Sequence, residues 1–70
     1  MSRWNYRVLA DHNGCRLIEC YYNDDDEIVA WANADALGAD KEELAHDLAL
    51  MVQALDRPTL TPADLPGGDQ

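Results

Sequence analysis

This chain lacks the signatures of catalysis and cofactor binding. It contains no G-x-G-x-x-G or phosphate-binding loop, and Ser2 is its only serine. A serine triad and a glycine-rich nucleotide cradle are therefore both excluded. No apolar run reaches the roughly 20 residues needed to cross a bilayer. Met1-Ser2-Arg3-Trp4 leads into polar residues rather than the apolar core of a signal peptide. Basic residues are scarce, 5 against 14 acidic ones, for a formal charge of −9. Direct nucleic-acid binding needs clustered Lys and Arg, so it is not expected, and neither is an anionic lipid surface. The charge is also uneven. Residues 1–16 hold Arg3, Arg7 and Arg16 against Asp11 alone, and the acidity lies beyond them.

Cysteine is nearly absent too. Cys15 and Cys20, on a single strand, would be separated by roughly 17 Å and point to opposite faces. A disulfide requires Cα atoms within about 7 Å, so no intrachain bridge forms. Two free thiols fit a reducing, cytoplasmic setting. His12 and Cys15 form an H-x-x-C half-site, but the other soft donors, Cys20 and His46, fall on different elements. Structural zinc wants four ligands together, so no metal is expected. The acidic run Asn23-Asp24-Asp25-Asp26-Glu27 invites a calcium reading. Counted from Asn23, the sixth and twelfth loop positions hold Ile28 and Ala34 instead of the required glycine and glutamate.

What is present is a fold. Trp4, Tyr6 and Val8 alternate with Asn5 and Arg7, as in a half-buried strand, and Leu17–Tyr22 is a second such segment. A three-residue His12-Asn13-Gly14 loop pairs Val8 with Ile18, Tyr6 with Cys20 and Arg7 with Glu19. An Asn13-Gly14 turn would instead set Val8 against Glu19, so the three-residue loop is preferred. Ile28–Ala32 is a third strand. A four-residue loop before it places Val29 and Trp31 on the core face; a five-residue loop places Ile28 and Ala30 there. The first buries the larger side chains.

Ala39–Pro58 contains one complete amphipathic helix, running from about Lys41 to Leu55. Asp40 caps it and Glu43 stands three residues on. Leu44, Leu48, Met51 and Leu55, widened by Val52, form its apolar stripe. Pro58 forbids continuation. Thr59-Leu60-Thr61 adds a short edge strand or lies on the core. The fold class is α+β, a three-stranded antiparallel meander with one C-terminal amphipathic helix packed on one face. One β-β-β-α domain spans residues 1–60, and the Pro- and Gly-containing residues 61–70 form a flexible tail.

One helix on three strands makes no water-excluding cleft, so an enzyme is not expected and no cofactor is implied. The expected role is a noncatalytic protein-interaction module, a homodimer formed through the uncovered sheet face or a sheet edge. Leu9, Leu17 and Tyr21 form the contact set there, joined by Ile28 and Ala30 in the four-residue-loop register. Two alternatives compete with it. One is an acidic nucleic-acid mimic that binds a basic protein. The other is a cysteine-based redox protein using Cys15 beside His12.

The strand pattern followed by Gly38-Ala39-Asp40-Lys41-Glu42-Glu43-Leu44 and Ala54-Leu55 resembles the HicB-like antitoxin family. Trp4-Asn5-Tyr6-Arg7-Val8, Ile18-Glu19-Cys20-Tyr21-Tyr22 and Glu42-Glu43-Leu44 are similar to segments of short uncharacterised bacterial proteins. The HicB-like resemblance implies a partly degraded double-stranded-RNA-binding-like fold and oligomers built on the sheet. It also implies neutralisation of a small toxin, a small basic protein partner.

Overall fold

The computed structural model describes residues 3–67. Three strands, β1 (Arg3–Asp11), β2 (Gly14–Tyr22) and β3 (Ile28–Asn33), form an antiparallel sheet in the order β1-β2-β3. One helix follows, α1 (Lys41–Gln53), continued by a 3-10 turn at Ala54–Asp56 and, later, a second at Pro62–Asp64. The layout is β-β-β-α and the class α+β.

The hairpin register differs from both sequence alternatives. Asp11 pairs with Gly14, so His12 and Asn13 alone make the turn. The Asp11 carboxylate accepts the Asn13 N–H at 2.8 Å, and Gly14 adopts φ +118, which its missing Cβ permits. Val8 consequently faces Leu17, Tyr6 faces Glu19 and Arg7 faces Ile18. Relative to the preferred three-residue loop this is a one-residue slip, which turns all of β2 over. Leu17, Glu19 and Tyr21 now share the face of Tyr6 and Val8. Ile18, Cys20 and Tyr22 share the face of Leu9.

Both faces are covered, and that explains why the slip is tolerated. The helix side holds Tyr6, Val8, Met51 and Ala54, with Leu17 and Leu50 against them. The opposite side holds Leu9, Ile18, Cys20, Leu60 and Leu65, with Tyr22, Ile28 and Trp31 packed around. Leu60 forms a parallel bridge beside Leu9; its N–H donates to Val8 O at 2.8 Å, and its carbonyl accepts from Ala10 N at 2.9 Å. Thr61 then turns the chain, with the Asp64 carboxylate accepting its N–H at 2.8 Å, and Leu65 drops into the core. The segment expected to be a flexible tail from residue 61 thus contributes a core residue; residues 68–70 of that expectation lie outside the described residues.

The third strand combines the two loop alternatives. Tyr22 pairs with Ile28 across a five-residue loop, but a bulge follows, so that Tyr21 meets Ala30 and Cys20 meets Trp31. Val29 is the extra residue and is exposed, whereas Ile28 and Trp31 both pack on the Leu60–Leu65 side. Trp31 faces a core, though the one opposite the helix. The loop is organised by Asn23, whose side-chain oxygen accepts from Asp25 N at 2.9 Å and Glu27 N at 3.0 Å.

Asp40 caps α1 as the sequence indicates, accepting the Glu43 N–H at 2.9 Å. Glu43 reaches back to Ala39 N at 3.4 Å. The chain enters this turn tightly. A Cβ on Gly38 would overlap the Leu44 backbone nitrogen and lie 2.7 Å from the Glu43 carbonyl carbon. Gly38→Ala should therefore push the first helical turn away from the crossover and destabilise the fold by about 1–3 kcal/mol, as overpacking does. Urea denaturation checks this, and an unchanged midpoint would contradict it.

The rotation of α1 is set by one latch. The Tyr6 hydroxyl donates to Asp47 Oδ1 at 2.5 Å, and Asp47 Oδ2 accepts the Leu37 N–H at 3.0 Å. With Asp47 turned toward the sheet, its neighbour Leu48 points about 100° away. The buried helical residues are accordingly Met51 and Ala54, not the expected Leu44-Leu48-Met51-Leu55 stripe. Burial, reinforced by the Asp47 bond, pushes the Tyr6 hydroxyl up to about 12. The Tyr6 and Leu37 hydrogen bonds hold the Asp47 carboxyl below its ordinary value.

The two signs are opposite. Asp47 contributes stability above the ordinary aspartate range, lost as pH falls through its depressed value. Tyr6 contributes stability below about pH 10, lost as pH rises toward 12. Tyr6→Phe should cost about 1 kcal/mol at neutral pH and flatten the loss between pH 10 and 12. Denaturation midpoints across that range test it; an alkaline limb as steep as the parent's would contradict it.

Candidate functional site

The latch leaves half of the helix without a partner. Leu48, Val52 and Leu55 are 46%, 63% and 71% exposed. Residues 48–55, Leu-Ala-Leu-Met-Val-Gln-Ala-Leu, carry no charge at all. A segment apolar on every side is normally buried on every side. Here α1 and the turn after it lie on β1, so only the Met51 and Ala54 side is covered.

Between that helix and the hairpin runs an open groove of about 330 Å³. Val8, Cys15 and Leu17 form its sheet wall; Leu48, Met51, Val52 and Leu55 form its helix wall. Arg16 is the one charged residue along it, and its guanidinium stands 3.7 Å from the Asp11 carboxylate. No general acid or base converges here. The chemistry this surface offers is the removal of apolar area from water.

The expected contact set is only partly brought together. Leu9 is 2% exposed and lies on the far face, beneath Leu60 and Leu65. It cannot share a surface with Leu17 and Tyr21, because the register places them on opposite sides of the sheet. Leu17 is half-buried and lines the groove. Tyr21 is on Leu17's face but outside the groove. Its hydroxyl donates to Glu19 Oε1 at 2.5 Å, and that bond raises its pKa. Glu19, the charge that argued against this facing, is thereby held by a neighbouring phenol.

The two thiols are free and face opposite sides of β2, as expected. Cys15 is exposed in the groove wall. Cys20 is fully buried, and burial raises its pKa against the opposing pull of Arg7 and Tyr22. Among the described residues no helix is long and apolar enough to cross a membrane.

The spacing of Leu48, Val52 and Leu55 predicts a core stripe, but all three are exposed. The sequence signal for that exposed apolar surface is the run of eight uncharged residues from 48 to 55, too apolar for one buried face. No protein-family model matches this chain, and neither a curated protein nor a solved structure matches it.

Proposed function

We propose that this protein is a noncatalytic interaction module that self-associates, a second copy of the chain covering the uncharged groove. One observation carries the reading: Leu48, Val52 and Leu55 stand exposed on a helical segment with no charged residue. Charge and core size favour a second copy as the occupant. Each chain carries −9, so two copies repel wherever carboxylates meet. The 48–55 face is where they approach at least electrostatic cost. The core is also thin. Chains below about 70–80 residues gain only about 3–5 kcal/mol from a single core, and oligomerisation is one way they add to it. A two-fold axis beside the helix would let each Val52 and Leu55 pack against the other copy. The exposed Cys15 thiol fits a reducing compartment, and the module is read as cytoplasmic.

Dilution followed by amide NMR tests this. Lowering the concentration from millimolar to micromolar should shift resonances of residues 15–17 and 48–55 and leave β3 unchanged. Shifts confined to residues 28–33 would assign the contact to the sheet edge and overturn the groove as the interface.

A further inference from the structure

A second cleft, sharing no wall with the groove, collects cations. It has a volume of about 490 Å³ and lies where β1 begins, walled by Arg3, Arg7, Tyr22, Arg57 and Pro58 and by one carboxylate, Asp26. Three of the chain's 5 basic residues meet there, although the whole chain is strongly acidic. We propose that this cleft binds a phosphate monoester.

Charge favours an anion here. Arg3 pairs with Asp26. Among the described residues no carboxylate pairs with Arg7 or Arg57. Two positive charges therefore stand uncompensated in one cleft, matching the dianion of a phosphate monoester better than a single carboxylate.

Hydrogen bonding points the same way. Arg7 donates to the Tyr22 hydroxyl at 3.1 Å and the Pro58 carbonyl at 2.8 Å, while the Tyr22 hydroxyl donates to Asn5 Oδ1 at 2.7 Å. These bonds fix the guanidinium in place. Its Nε is the one buried side-chain polar atom without a hydrogen-bond partner among the described residues. That atom is buried and out of a ligand's reach, but a guanidinium held only by neutral acceptors presents a fixed, uncompensated charge to the cleft and is preorganised for an anion. Trp4, about half exposed, borders the cleft from the other face of β1, where its ring packs edge-on against Tyr6 at 5.1 Å, and Pro58 supplies apolar surface for the organic group of an ester.

The test is an NMR titration of the labelled protein at low ionic strength. The ligands are phenyl phosphate, inorganic phosphate and benzoate in separate arms. Phenyl phosphate should move the Trp4 indole and Arg57 side-chain signals to saturation and bind tightest. Arg57→Gln should weaken it at least about tenfold, the scale of one charge-assisted contact. Among the described residues Arg57 makes no side-chain hydrogen bond, and its N–H bond to Ala54 O is retained, so this variant keeps the fold. Arg3→Gln serves as a second variant with the same expected direction. Lys41→Gln, an exposed cation outside both the cleft and the groove, should change nothing. Equal binding of inorganic phosphate would assign the free ion and overturn the ester. Equal binding of benzoate would overturn the dianion match. Shifts that never saturate, or equal loss in Lys41→Gln, would remove the site.

Discussion

Val52→Glu should yield a folded monomer. Val52 is 63% exposed in the single chain, so the change leaves both cores intact. In a symmetric pair it buries two carboxylates against the other copy's apolar wall. At about 2 kcal/mol for each, the lower end for a polar group buried without a partner, association weakens by roughly three orders of magnitude. Light scattering after size exclusion should show the parent at twice the chain mass and the variant at 7.8 kDa. Circular dichroism should show equal helix content in both. If Val52→Glu keeps the parent's mass, the groove is not the contact.

Leu65→Ala should abolish stable folding, although Leu65 sits in a stretch of proline and glycine that reads as a tail. The side chain is 6% exposed and packs with Leu9, Ile18, Cys20 and Leu60. Removing a buried leucine costs about 2–5 kcal/mol, comparable to the whole stability of a single core this small. Thermal unfolding should show a broad, low transition or none. Ala63→Ser, an exposed change in the same turn, should leave the midpoint within a few degrees of the parent. A cooperative transition for Leu65→Ala at the parent's temperature would show that the second core does not depend on this segment.

These expectations separate what the sequence carries from what it hides. Capping chemistry is local, so Asp40, Glu43 and Pro58 mark the ends of α1 closely. Strand positions also follow, because Trp4–Val8 and Leu17–Tyr22 alternate. The hairpin register does not follow. Alternation fixes register only when one face is dry and the other wet. Here Leu60 and Leu65 dry the second face, so Leu9 and Ile18 are as deeply buried as Tyr6 and Val8.

The same hidden coverage dispersed the expected contact set of Leu9, Leu17 and Tyr21. Helix rotation was hidden for a related reason. It depends on a bond between Tyr6 and Asp47, 41 residues apart, which no helical periodicity records. The clue that remained in the sequence was negative: residues 48–55 carry no charge in a chain of −9.

Sedimentation equilibrium of the unmodified chain from micromolar to millimolar concentration tests the central claim most directly. A mass twice that of one chain, falling toward 7.8 kDa only on dilution, is the expected result. A folded chain that stays at the single-chain mass up to millimolar concentration would contradict it.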